Sequence, residues 1–244
     1  MSSKPKLFSG LAAIVALVLL AVVPGTSAAA PQLSTYRVTL ENLTSGQPFS
    51  PPVAATHRKS IRMFEVGQPA SDELAAIAQD GNEVPMFELF STSGKATQVV
   101  DVGRPVTRRG TTVGTFTDTA TFEIAAAPGD RFSIATMLIC TNDGFLGLDA
   151  VKLPMQGSET FFLNGYDAGR EQNTEQSVDL VDPCSALGPT VLPGDPDGNQ
   201  DAAVATVPAD VIHHHPNIQG NGELSVAQHG WTDPVAKVTI ERLG

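Results

Sequence analysis

Residues 36–41 read Tyr-Arg-Val-Thr-Leu-Glu, apolar and polar side chains in strict alternation, which is the period of a strand with one buried face. Residues 236–241, Ala-Lys-Val-Thr-Ile-Glu, repeat the pattern near the other end of the chain. Placing both in one sheet predicts a single domain running from about 36 to 243. Further strands are expected at Met86–Phe90, Thr97–Val102, Thr111–Ile124, Arg131–Ile139 and Thr160–Leu163. Short β-branched runs separated by Gly, Pro, Asn and Asp describe an all-β antiparallel sandwich or barrel.

One short helix interrupts the strands. Ser71 is its expected cap, Asp72 and Glu73 suit a positive N-terminus, Leu74–Gln79 are mostly good helix formers, and Gly81 stops it. Pro183–Asp201 reads as a mobile loop, because its prolines and glycines leave little apolar surface to bury.

The first thirty residues carry the marks of a signal peptide: Lys4 and Lys6, the apolar run Leu7–Val23, and small residues through Ala30. Cleavage there gives a mature domain over 31–244. An uncleaved anchor is the alternative, since the apolar run approaches the roughly 18 residues that span a bilayer. Both readings place the rest of the chain outside the cytoplasm, secreted or in the cell envelope. The formal net charge is −11 at pH 7. Losing the two lysines of the leader makes the mature domain more acidic still, which disfavours nucleic acid and anionic lipid as partners and favours cations.

The two cysteines, Cys140 and Cys184, are read as a disulfide in an exported chain. In the chain-entropy description such a loop contributes about 4 kcal/mol. A catalytic thiol is the other reading, though neither cysteine has a C-x-x-C or local Cys-His signature.

Acidic residues on loops are the candidate chemistry. Asp143 lies in an Asn-Asp-Gly turn expected to expose its carboxylate, Asp149 follows six residues later, and Asp167 and Glu171 flank Gly169 in Gly-Tyr-Asp-Ala-Gly-Arg-Glu, residues 165–171. The spacing of Asp167 and Glu171 matches one helix face, but Gly165 and Gly169 favour a turn. Such a set of hard oxygen donors suits Ca²⁺, which takes six to eight oxygens. Turn formation by Asp and Gly is the simpler alternative. His213-His214-His215 is either a solvated tract or a Zn²⁺ or Cu²⁺ site to which at most two rings converge, because successive strand residues face opposite ways. His57 is read as structural, and Asn42-Leu43-Thr44 fits the N-glycosylation triplet.

Several of these stretches resemble one family. The run Asn42–Pro52, then Ala55-Thr56-His57, Phe64, Gly67 and Ala70-Ser71, resembles the opening of the spondin N-terminal domain. Met137 leading into Asn142–Gly147 resembles its middle motif, Tyr166–Glu171 a later one, and Pro234–Ile240 the close. The resemblance implies a C2-like antiparallel β-sandwich of the kind found in matrix and adhesion proteins, with a calcium site carried by Asp143, Asp167 and Glu171. Arg170 stands where the family has a small polar residue, so its guanidinium either points away from the site or competes with the ion.

The expectation is thus a secreted, non-enzymatic binding or adhesion-type module. Its loop-mounted Ca²⁺ would organise a surface for an extracellular or cell-surface protein or glycan, with no nucleic acid and no membrane insertion after signal cleavage. The alternatives are a secreted hydrolase using Asp143 or Asp167 as general base, and a purely structural envelope protein.

Overall fold

The computed structural model describes residues 1, 32–192, 204–206 and 209–244. The expected signal segment and the 193–201 part of the expected loop lie outside the described residues. Pro31–Gly244 forms one compact unit.

Among the described residues twelve strands run in the order β1 Ser34–Asn42, β2 Val53–His57, β3 Ala96–Asp101, β4 Thr112–Val113, β5 Phe116–Thr117, β6 Thr119–Ala126, β7 Arg131–Met137, β8 Gly144–Lys152, β9 Ser158–Leu163, β10 Tyr166–Asp167, β11 His213–His214 and β12 Ala236–Arg242. Helices α1 Asp72–Asp80 and α2 Val84–Thr92 lie between β2 and β3; α3 Pro183–Leu187 and α4 Val226–His229 are short. The strands form a four-stranded sheet ordered β6-β1-β12-β9, a six-stranded sheet ordered β11-β10-β8-β7-β2-β3, and the small hairpin β4-β5. All pairings are antiparallel. The molecule is an all-β sandwich, as the alternating sequence predicts.

In the four-stranded sheet the two terminal strands pair side by side, Tyr36 against Arg242 through Asn42 against Ala236. Val38 and Leu40 of β1 and Val238 and Ile240 of β12 turn inward and meet Phe132, Ile134 and Leu146 of the other sheet. Arg37 faces outward between Glu123 and Glu241. Exposed pairs of this kind contribute about 1 kcal/mol or less each.

The six-stranded sheet is covered on both faces. Leu74, Ile77 and Ala78 of α1 and Met86 and Phe90 of α2 pack on Val53, Ala55, Ala135 and Phe145. Strand β2, Val-Ala-Ala-Thr-His, is therefore buried at every position and shows no alternation. His57 ends it, with Nε2 2.8 Å from Ser133 Oγ and Nδ1 2.9 Å from the Arg58 carbonyl.

Three expectations are corrected. Residues 86–90 are helical, because Met86 and Phe90 are four apart, Pro85 sits in the first turn, and both apolar side chains reach the sheet together. The molecule consequently has more than the one helix expected; α1 itself begins at Ser71, whose hydroxyl accepts the Leu74 N–H, and ends at Gly81 with φ 64°. Residues 183–187, expected as mobile loop, form α3, which buries Cys184 and Leu187. Cys140 and Cys184 are bonded, with Cα atoms 5.0 Å apart, inside a small cluster with Leu180, Ile218 and Leu224.

Asn42 is fully buried. Its amide donates to the carbonyls of Gln47 and Thr107, and its oxygen accepts from the Thr44 N–H and hydroxyl. The triplet is a structural hub, and the folded chain does not offer Asn42 for glycosylation.

Candidate functional site

The site sits where β8 begins. Thr141 Oγ1 donates to the Leu138 carbonyl and accepts the Gly144 N–H, closing a tight turn after β7. A side chain at Gly144 would run into that Thr141 hydroxyl, and would stand 3.1 Å from the His215 ring, so the turn requires glycine. This turn holds Asp143 inward. Its carboxylate is fully buried rather than exposed as the Asn-Asp-Gly pattern suggests, because β10 and the chain after it close over it.

Strand β10 brings the second acid. Asp167 pairs with Gly144 on one side and with His213 on the other. The Ala168 N–H donates to the Asp143 carbonyl at 3.1 Å. The chain then turns at Gly169, φ 70°, where a Cβ would meet the Asp210 backbone. That turn aims two successive N–H groups, of Arg170 and Glu171, at Asp143 Oδ2, at 2.6 and 2.9 Å. Asp143 Oδ1 is buried and accepts no hydrogen bond.

Burial pushes the Asp143 pKa up to about 6, and repulsion from Asp167 adds to it against the pull of the two N–H donors. Asp167 is held by the Gly169 N–H on Oδ1 and by the Asn173 amide on Oδ2. Glu171 contributes its backbone to Asp143, but its carboxylate accepts from Gln79 of α1 at 2.8 Å. The structure therefore brings Asp143 and Asp167 together and turns the Glu171 side chain toward α1. Asp149 belongs elsewhere: it accepts the Met63 N–H and the Ser133 hydroxyl and faces Arg62.

Arg170 points away. Its guanidinium donates to the Ala70 carbonyl and to Asp72 in the first turn of α1, at 3.1 and 2.9 Å. It does not stand between the acids.

The histidine tract divides as strand alternation requires. His213 faces Asp167, with Nε2 3.9 Å from Oδ2, while His214 bonds Asp233 on the other side. His215 is buried and its Nδ1 accepts the Asn217 N–H, and burial lowers its pKa to about 4.

Two adjacent buried carboxylates, one with an oxygen that no N–H or O–H satisfies, are the oxygen chemistry Ca²⁺ takes. Among the described residues no group of three or more His, Cys, Asp or Glu is gathered to hold a metal. The pair fits as two ligands, and the rest of the shell would come from backbone oxygen and water. Gln79 and Asn173, which orient Glu171 and Asp167, were not singled out in the sequence; Gln79 is 92 residues from its partner and carries no local signal. Cavities of about 440, 560 and 250 Å³ lie elsewhere, and none has Asp143, Asp167 or Glu171 in its wall.

A two-sheet antiparallel sandwich with an acidic pair at one strand end is the class that fold and site define. A family model described as Spondin_N matches residues 40–181, more than half of the chain, and the chain belongs to that family, one of extracellular modules. The match includes Asp143, Asp167 and Glu171 and stops before Cys184, β11 and β12. No curated protein matches the chain. No helix among the described residues is long and apolar enough to cross a membrane.

Proposed function

We propose that Pro31–Gly244 is a secreted, non-enzymatic binding module in which Asp143 and Asp167 hold Ca²⁺ and thereby order the turns at 141–144 and 167–171. The observation that carries this reading is Asp143 Oδ1, buried without a donor beside a second carboxylate. A bound cation supplies the positive charge that this pair lacks. Asp143 Oδ2 keeps the two backbone N–H groups, so Oδ1 is the oxygen left to ligate. Glu171, whose Oε1 is held by Gln79, is the candidate third ligand. Sites of this kind in extracellular modules bind at about 10⁻⁴ to 10⁻³ M. The ordered turns would then present a surface to an extracellular protein or glycan.

Calorimetric titration of Ca²⁺ into the protein, beside Asp143→Asn and Asp167→Asn, tests the reading. The parent is expected to give a saturable heat and a rise in Tm that both variants lose. In Asp143→Asn the amide oxygen still accepts the two N–H groups, so that variant keeps its turn, whereas Asp167→Asn keeps the acceptor for the Gly169 N–H and loses the one for the Asn173 amide; circular dichroism of both variants without Ca²⁺ checks that they are folded. Equal heats and equal thermal shifts in parent and variants would remove calcium from the account.

The elevated Asp143 pKa is also what a hydrolase with an aspartate general base requires. That reading needs a substrate cavity at the carboxylate, and the three cavities above open elsewhere. Turnover of a model ester or glycoside that is lost in Asp143→Asn would favour it.

A further inference from the structure

The far end of β8 carries the opposite charge. Arg131 of β7 and Lys152 of β8 stand directly opposite each other in the ladder. Two cations at cross-strand positions repel, and neither makes an ion pair among the described residues. Asp130, the nearest acid along the chain, also lines the cleft that Arg131 and Lys152 share; its Oδ2 accepts both the Thr97 hydroxyl and the Ala127 N–H, and it forms no ion pair with Arg131 or Lys152. Arg242 adds a third cation, fixed by the Met155 carbonyl and the Ser34 hydroxyl.

All three cations line one cleft of about 440 Å³ together with a single acid, Asp130, and the remaining wall is largely apolar, with Tyr36, Leu153 and Met155 among its residues. The chain as a whole carries a formal charge of −11, so this cleft concentrates positive charge on an acidic molecule. Strand β8 has nine residues, and at about 3.4 Å per residue the cleft stands roughly 30 Å from Asp143.

We infer that this cleft is a binding site for a small organic anion with an apolar stem, its carboxylate set against Arg131 and Lys152 and its chain laid along Tyr36, Leu153 and Met155. The opposed, unpaired cations explain why the ligand is an anion. The apolar wall explains why a bare inorganic ion is not enough. The site does not depend on the calcium reading, and it uses none of the same residues.

The probe is decanoate, kept below its micellar concentration and titrated calorimetrically into the protein in the presence of a chelator. Saturable binding is expected, weakened roughly tenfold in the double variant Arg131→Gln with Lys152→Gln, as loss of charged hydrogen bonds implies. Met155→Glu, at a residue 85% exposed, is expected to repel the probe to a similar degree without disturbing the fold. Decanol is expected to bind more weakly than decanoate, and inorganic phosphate not to bind. Decanol as tight as decanoate, phosphate as tight as decanoate, or unchanged affinity in both variants would each overturn the proposal.

Discussion

The two sheets of the sandwich share one core and differ in what covers their other faces. The four-stranded sheet turns Arg37, Thr39 and Glu41 to water and meets it with charge pairs. The six-stranded sheet is roofed by α1 and α2, so β2 and nearly all of β7 are buried on both sides. A carboxylate on the open sheet stays hydrated, whereas one at the end of the covered sheet loses water and must find donors. Asp143 finds two N–H groups for one oxygen and none for the other. Burial at the end of the covered sheet is thus what raises the proton affinity of an ordinary turn aspartate.

Substitutions in the two sheets should separate them. Phe132→Ala, at the shared core, is expected to lower unfolding free energy by roughly 3 to 5 kcal/mol in chemical denaturation; a loss below about 1 kcal/mol would mean that the sheets are not packed as described. Replacing Cys140 and Cys184 together by Ala is expected to cost about 4 kcal/mol, with the denatured state gaining most of the freedom. Asn42→Ala leaves the Thr107 carbonyl without its donor and the Gln47 carbonyl with only the Thr44 hydroxyl, and should cost about 1 to 3 kcal/mol.

A smaller effect tests the covered sheet through pH. Burial raises the pKa of Asp149, so its folded form favours the proton. Stability from this group is present below the ordinary carboxylate range and is lost as pH rises through the folded value. Asp149→Asn removes that loss, and the Tm difference of variant minus parent should therefore grow from about pH 4 to pH 7; a difference that shrinks would contradict the assignment. The smallest effect belongs to the open sheet. Phe162 is 63% exposed on the edge strand β9, and Phe162→Ser should change stability by no more than about 0.5 kcal/mol.

The open sheet was the more legible one, although β3 and β7 of the covered sheet also match the strands expected at Thr97–Val102 and Arg131–Ile139. Strands β1 and β12 of the open sheet alternate because one face is wet, and that alternation located both ends of the domain. Strand β2 could not be seen, since a strand buried on both faces has no period to read, and α2 was misread because Met-Phe-Glu-Leu-Phe satisfies a strand pattern until Phe90 is known to share a face with Met86. The candidate site was half legible. Asp143 and Asp167 were marked by turn chemistry and by the family motifs, and the structure sets them side by side. The burial of Asp143 depends on β10 and the turn after it, and the diversion of Glu171 to Gln79 and the departure of Arg170 toward Asp72 depend on α1, which lies about 90 residues or more away from them in the chain and leaves no trace near the acids.

The pairing of β1 with β12 also bears on how the molecule assembles. Strand β1 lies between β6 and β12, and Tyr36 meets Arg242 roughly 200 residues later, a separation that slows folding because loop closure precedes any reward from contact. During synthesis β1 can pair with β6 early, but its second edge stays open until β12 has been made. Until then Val38 and Leu40 have only part of their core. The four-stranded sheet is therefore completed late, and a chain interrupted before β12 would present β1 as an unpaired edge, open to another copy of itself.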